Sequence, residues 1–271
     1  MLHITPHNVP IPALGLGTFG LNGAVAERIV RHALDLGYRH VDTAQMYGNE
    51  AEVGAGIKSA SVPRGEIWLT TKIWPDKFSA DALLAAAEES VRRLGTEPDL
   101  LLLHWPNPDV PLDETVGALN EAKRRGLAHQ IGISNFPTAL IRAAVGHSEA
   151  PLLVNQVEYH PYLDQGLVLA ELARQGMALT AYSPIGRGKV FEDPTLQRIA
   201  QTHGKNAGQV TLRWLVQQGV SAIPRSSREA NVATNFDIFD FALSDDEMAE
   251  IAGLAHPDGR MIHPANPPDW D

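Results

Sequence analysis

The sequence contains no cysteine. Disulfides, thiolate nucleophiles and cysteine-bound metals are thereby excluded. No apolar run approaches the roughly 18 residues of a membrane span, so no membrane partner is expected. The N-terminal stretch carries prolines, histidines and an asparagine, without a basic segment leading into an apolar core. It therefore does not read as a secretory signal. Positive charge is scarce: 22 Lys and Arg stand against 32 Asp and Glu, a net charge of −10. Nucleic acid and acidic lipid would both be repelled overall, although a local basic pocket for one small phosphate stays open. No linker, low-complexity tract or short repeat interrupts the chain, and no cluster of Asp, Glu and His has metal-site spacing. The expectation is a cytoplasmic, monomeric protein acting on a small molecule without a metal.

What is present is ordinary for a globular enzyme, with 44% hydrophobic and 20% charged residues over 271 positions. A single domain over residues 1–271 would bury about 75% of its extended-chain surface. Short apolar runs alternate with longer amphipathic ones throughout. Strands are expected at 14–16, 38–42, 66–72, 99–104, 128–134, 153–158, 178–182 and 220–223. Helices are expected at 25–36, 50–59, 80–94, 112–125, 137–145 and 165–175. Further helices are expected at 194–203, 207–218, 228–235 and 244–254. Gly37, Gly95, Gly126, Gly176 and Gly219 stand as helix stops. Strands without polar alternation are those buried on both faces, as in parallel sheets. Eight strand-helix units in ~250 residues fit a closed α/β barrel, the (β/α)8 or TIM barrel, with two extra helices and a short C-terminal loop. An open doubly wound sheet is the alternative. It favours a G-x-G-x-x-G turn after its first strand, and Gly15-Leu16-Gly17-Thr18-Phe19-Gly20 lacks that spacing.

In a barrel the C-terminal strand ends share one face, where active sites lie. Here those ends carry Asp42, Lys72, His104, Ser134-Asn135, Gln156 to Glu158, Tyr182-Ser183 and, after the last strand, Arg225 to Arg228. Tyr47 follows Asp42 in the next loop. Taken singly, each has a bland reading as turn former, helix cap, packing or solvated rim. Asp, Lys, His and Tyr on three adjacent strands make a set with one chemical sense. A phenol is a poor acid at neutral pH, with a reference pKa of ~10. A buried ammonium beside it favours the phenolate and lowers that pKa, and a carboxylate keeps the ammonium charged. An imidazole can donate to a substrate oxygen. Such a set can protonate a carbonyl that is gaining electrons.

These residues sit in blocks that resemble the aldo-keto reductases over nearly the whole chain. The blocks are Gly15-Leu-Gly-Thr-Phe19, Tyr38-Arg-His-Val-Asp-Thr-Ala44, Tyr47-Gly48-Asn49-Glu50 and Leu69-Thr-Thr-Lys72. They continue with Asp99-Leu-Leu-Leu-Leu-His-Trp105, Gly132-Ile-Ser-Asn-Phe136, Asn155-Gln-Val-Glu158, Ala181-Tyr-Ser-Pro184 and Ile223-Pro-Arg-Ser226. Within that family the chain is most similar to short bacterial reductases of diketogulonate, 2,5-diketo-D-gluconate and methylglyoxal. The resemblance implies an NADPH-dependent oxidoreductase that reduces aldehydes, ketones and keto sugar acids. It implies that Tyr47 donates the proton, that Lys72 paired with Asp42 tunes it, and that His104 orients the carbonyl. It places Thr18, Phe19, Asp42, Ser134, Asn135, Gln156 and Tyr182 around the nicotinamide, and Ser183, Ile185 and Gly186 along the pyrophosphate. Arg225, Ser226, Ser227, Arg228 and Asn235 fall at the nucleotide end, where two guanidiniums and a helix start suit a phosphate. Phe19, Met46, Trp74, Trp105 and Trp270 are the candidates to line the substrate pocket.

Two departures bear on selectivity. Many NADPH-preferring relatives carry an Arg where this chain has Asn231, so NADH use is less excluded. The loop after Leu254 is short, which leaves the expected pocket open. Two other readings keep the same barrel: an aldolase forming a Schiff base on Lys72, and a cofactor-binding protein without turnover. The intact set of four weighs against the second, and Asp42 beside Lys72 weighs against the first.

Overall fold

The computed structural model describes residues 2–271. Its eight-stranded sheet is parallel throughout, in the order β10-β9-β8-β7-β6-β5-β4-β3. The strands are β3 (Leu16–Gly17), β4 (His40–Asp42), β5 (Trp68–Ile73) and β6 (Leu100–Leu103). They continue with β7 (Gln130–Ser134), β8 (Leu152–Glu158), β9 (Ala178–Tyr182) and β10 (Ser221–Ala222). Every residue of β6 and of β8 is buried, as expected for strands covered on both faces. The sheet closes on itself: Gly15 N–H donates to Ala222 O at 2.9 Å, and Gly17 N–H to Pro224 O at 3.0 Å. The barrel is thus closed, and the open-sheet alternative falls.

Helices follow each strand and pack their apolar faces on the sheet. They are α1 (Gly23–Leu36), α2 (Glu50–Ser59), α3 (Ala80–Leu94), α4 (Leu112–Arg124), α5 (Thr138–His147) and α6 (Gly166–Arg174). The remainder are α7 (Pro194–Thr202), α8 (Ala207–Gln217), α9 (Glu229–Phe236) and α10 (Asp245–Ala252). In α1 the buried residues Ala26, Ile29, Val30, Ala33 and Leu34 recur at helical spacing, and Gly37 ends the helix at φ 127°. Asn206 and Ser244 start α8 and α10 with side-chain caps reciprocated by Gln209 and Glu247. The two helices beyond the eightfold pattern, α7 and α10, pair with each other. Arg198 bonds Glu250, and His203 Nε2 lies 2.9 Å from Glu247 Oε1.

An N-terminal hairpin has no counterpart among the expected elements. It is formed by β1 (His3–Ile4) and β2 (Ile11–Pro12). His7 packs on Gly176, just before β9, so the hairpin covers the N-terminal end of the barrel. The C-terminal end stays free for chemistry.

Helix α2 crosses the end of α3 at a glycine. A Cβ on Gly54 would lie 2.2 Å from the Leu94 carbonyl oxygen, a backbone atom that cannot step aside. Gly54→Ala should cost on the order of 2 kcal/mol by overpacking. The check is urea unfolding, with a lower midpoint and an unchanged slope. An unchanged midpoint would show that the two helices separate easily.

Candidate active site

Three adjacent strands deliver three of the expected residues to one rim. Asp42 ends β4, Lys72 lies one residue before the end of β5, and His104 follows β6. The His104 N–H continues the ladder by donating to Ile73 O at 3.0 Å. Tyr47 comes from a tight 3-10 turn, Gln45–Tyr47, that Gly48 closes in the left-handed region at φ 67°. The turn is pinned at several points. Gln45 Nε2 donates to Ala86 O at 2.7 Å. Asn49, wholly buried, accepts from Thr43 Oγ1 at 2.8 Å and donates to Thr18 O and Leu21 O. Glu50 accepts from Thr71 Oγ1 at 2.6 Å, tying the start of α2 to the residue before Lys72.

The Lys72 ammonium is fully buried and has three acceptors for its three N–H groups. They are Asp42 Oδ1 at 2.5 Å, Thr43 O at 2.8 Å and Tyr47 OH at 3.4 Å. Burial pulls the Lys72 pKa down, but Asp42 and Tyr47 together outweigh it and the net direction is up. The group stays an ammonium. For Tyr47 the net direction is also up, because burial of its hydroxyl end and the Asp42 charge outweigh the pull of Lys72. The expectation that Lys72 would leave the phenol more acidic than usual is therefore not met. Lys72 lowers the cost of ionising Tyr47 without cancelling it. His104 is held well below the ordinary histidine range, first by burial and then by Lys72, so it is a neutral imidazole. Its Nδ1 is enclosed and has no partner.

The opposite wall gathers Ser134, Asn135, Gln156 and Tyr182. Ser134 Oγ donates to Gln156 O at 2.7 Å, and Asn135 Nδ2 to His104 O at 2.9 Å. Tyr182 OH donates to Asn135 Oδ1 at 2.8 Å. Gln156 Nε2 donates to Asp42 Oδ2 at 2.7 Å, an orientation that charge dictates, since an amide oxygen would repel the carboxylate. Its amide oxygen is left as an acceptor. Asn135 (φ 65°) and Ser183 (φ 48°) both sit in the left-handed region, where non-glycine residues are uncommon. Thr18 is buried and donates its hydroxyl to Asp42 O at 3.0 Å. Ile185 and Gly186 lie beside the tail, with a Gly186 Cβ position 3.3 Å from Met261 Cε.

At the far end Arg225 is folded onto the β3–α1 loop, where Nε bonds Phe19 O at 3.0 Å and Nη2 bonds Gly20 O at 3.2 Å. Ser226 Oγ accepts from Arg228 N–H at 3.1 Å at the start of α9, with exposed Ser227 between them. Asn235 lies in the last turn of α9. Guanidiniums, hydroxyls and free N–H groups make a donor set that fits an anion, and the one carboxylate at the start of α9, Glu229, is paired with Arg28.

The aromatic residues divide. Phe19 meets Tyr47 edge-on at 5.1 Å, and Trp74 meets His104 edge-on at 5.1 Å, so both border the catalytic candidates. Met46 is exposed beside Tyr47. Trp105 pairs with Trp270 at 6.1 Å, and Trp270 lies 3.6 Å over the Arg260 guanidinium. Trp270 also lines a cavity of about 470 Å³ between the tail and the start of α6, which Tyr47, Lys72 and His104 do not touch. This hollow therefore lies beside the catalytic candidates and is not formed by them. One anchor was missed in the sequence. Glu158, fully buried, accepts Met261 N–H at 2.8 Å and Ile262 N–H at 3.1 Å, which fixes the short tail. Its position at a strand end beside Gln156 was the only available signal.

A (β/α)8 barrel whose C-terminal rim carries a lysine-bridged carboxylate and phenol defines an oxidoreductase built for carbonyl chemistry. The chain belongs to the aldo/keto reductase family, whose model matches residues 13–256. It is 41% identical to methylglyoxal reductase DkgB of Escherichia coli O157:H7, over 96% of this chain and 99% of that one. A crystal structure described as a candidate 2,5-diketo-D-gluconic acid reductase B is 51% identical, with a TM-score of 0.96, covering 100% of this chain and 98% of that one. An aldo-keto reductase of Bombyx mori, solved in complex with NADP, is 33% identical with a TM-score of 0.88, covering 97% and 94%. With family membership comes the class of enzyme, an NADP-dependent carbonyl reductase. Among the described residues no helix is long and apolar enough to cross a membrane.

Two buried histidines make stability depend on pH. Burial pulls His40 down to about 4, and His104 is lowered too. An unfolded histidine takes up a proton near pH ~6.5. Below that pH the unfolded chain binds more protons than the folded one, so stability falls as pH falls. The slope is up to about 1.4 kcal/mol per pH unit for each histidine. His104→Gln should remove its share, and urea titrations between about pH 6.5 and 5 should show a shallower decline. An identical slope in variant and parent would mean that His104 is protonated in the folded protein.

Proposed function

We propose that this chain reduces small 2-oxo-aldehydes and keto sugar acids to alcohols, with Tyr47 as the proton donor. The observation that carries the reading is the position of the Lys72 ammonium between Asp42 Oδ1 (2.5 Å) and Tyr47 OH (3.4 Å). An ammonium has donors only. The Tyr47 oxygen therefore accepts from Lys72, and its own hydrogen is left free to point into the open rim. When bound, NADPH supplies the hydride for the carbonyl carbon. Tyr47 then gives its proton to the carbonyl oxygen as charge builds there. An alkoxide is a stronger base than a phenolate, so a raised phenol pKa does not block this transfer. It keeps Tyr47 protonated until the transfer is needed. Lys72 stabilises the phenolate as it forms, and Asp42 holds Lys72 in place. The phenolate regains its proton from water. His104, neutral, can donate one N–H to the same carbonyl oxygen and fix its direction.

Ser134, Asn135, Gln156 and Tyr182 would hold the nicotinamide end, and Ser183, Ile185 and Gly186 the pyrophosphate. Arg225, Ser226, Ser227 and Arg228 would hold the 2′-phosphate, with Asn235 beyond them. Phe19, Met46 and Trp74 would flank the substrate on one side, Trp105 and Trp270 on the other. A Schiff-base role for Lys72 meets a physical obstacle. An amine nucleophile needs a free lone pair, and here all three N–H groups of a charged ammonium are engaged.

Tyr47→Phe should abolish reduction of methylglyoxal while NADPH still binds, read by cofactor fluorescence. A turnover number within tenfold of the parent would refute Tyr47 as the acid. Arg225→Ala should raise the KM for NADPH by at least tenfold more than the KM for NADH. Arg225 also latches the Phe19 loop, but that role affects both cofactors alike, so only the ratio reports phosphate reading. Equal changes would remove Arg225 from the phosphate site.

A further inference from the structure

Asp42 has two carboxylate oxygens, and each takes a different partner. Oδ1 accepts from Lys72 at 2.5 Å, and Oδ2 accepts from the Gln156 amide at 2.7 Å. Strand β4, which ends in Asp42, and strand β8, which carries Gln156, stand four places apart in the eight-strand order. They lie on opposite sides of the closed barrel. The Gln156–Asp42 bond therefore crosses the floor of the rim and joins its two halves. One half carries Tyr47, Lys72 and His104. The other carries Ser134, Asn135 and Tyr182. Both ends of the bond are nearly inaccessible to water, with Asp42 1% and Gln156 2% exposed.

We infer that Gln156 is a positioning residue for the proton donor, in addition to any contact it makes with the cofactor. The reasoning builds on the reductase reading above. A buried carboxylate held at one oxygen can swing about its Cβ–Cγ bond, and the ammonium follows it. The bond from Gln156 fixes the carboxylate plane, which keeps the third Lys72 N–H under the Tyr47 oxygen. That third contact is the longest of the Lys72 set, at 3.4 Å, and so the first to be lost when Asp42 turns. Gln156 also drains charge from Asp42. Since Asp42 pushes the phenol toward its neutral form, losing the amide would make Tyr47 harder to ionise. The amide oxygen of Gln156 is not used by this bond and stays available to a cofactor, so one side chain can serve both halves.

Gln156→Met removes the donor at similar size, and two measurements decide the matter. In the cofactor-free protein, a double-mutant cycle with Asp42→Asn reads the coupling by urea unfolding. We expect a coupling of tenfold or more in the unfolding equilibrium constant. In the loaded enzyme, at saturating NADPH, kcat for methylglyoxal should fall at least tenfold, and the alkaline limb of its pH profile should move to higher pH. Arg228→Ala, whose exposed side chain lies at the proposed phosphate end, should raise the KM for NADPH and leave that limb in place. Additivity of the cycle within twofold, or a Gln156 effect confined to the KM for NADPH, overturns the inference. If the parent reduces no carbonyl, the reductase reading fails, and the cycle still decides the role of Gln156. Gln156→Asn, which keeps the amide but shortens its reach, serves where the Met variant does not fold.

Discussion

A lysine ammonium with no access to water is the constraint on which the rest of this molecule depends. Removing such a cation from solvent costs several kcal/mol even after relaxation. It is tolerable only where every N–H finds an acceptor and a carboxylate lies close. Lys72 meets both conditions through Asp42, Thr43 and Tyr47. Those acceptors come from the neighbouring strand and the loop that follows it. Parallel pairing sets the spacing: Asp42 lies opposite Thr70 in register, which brings Lys72 level with the start of the next loop. The barrel is thus the means by which a costly buried charge becomes affordable next to a phenol.

The same logic explains why so much polar hardware lies behind the rim. Asn49, Glu50 and Thr71 touch no open space, yet they hold the Tyr47 turn against β5. A 3.4 Å contact has little tolerance, since a further half-ångström would end it as a hydrogen bond. A loop tip left to itself would wander by more than that. Buried hydrogen bonds of this kind rigidify what they touch.

Much of this was legible in the sequence, and the reason is the period of the fold. Continuous apolar runs announced strands covered on both faces, and eight of them announced a barrel. A polar residue that closes such a run must then face the common rim, which is how Asp42, Lys72 and His104 stood out. Other features had no such signature. The hairpin strands β1 and β2 are two residues each, too short to show any period. The 3-10 segment from Gly186 to Glu192 is kinked at Arg187 and Gly188 and follows no repeat. The bond from Gln156 to Asp42 joins positions 114 apart in sequence, and only closure of the barrel brings them together. The direction of the Tyr47 shift was not legible in the sequence for a related reason. The pull of Lys72 can be inferred from neighbouring strands, whereas the opposing effect of burial depends on what packs above the hydroxyl.

The tail adds a last consequence. Beside Tyr47 the rim is bordered by exposed side chains, with Phe19 60% and Met46 45% exposed. On the other side the tail is firmly held. Glu158 clamps two consecutive N–H groups, His160 Nε2 lies 3.0 Å from the same carboxylate, and Asp271 bonds Thr138 at the start of α5. Trp270 is thereby fixed between Arg260 and Trp105. A buried carboxylate that accepts backbone donors leaves the chain little freedom, since releasing it would strand the charge. On the proposed function, the substrate would meet one rigid aromatic wall and one yielding wall. Size would be limited on the Trp105 side, and variation in substrate length would be accommodated toward Phe19 and Met46.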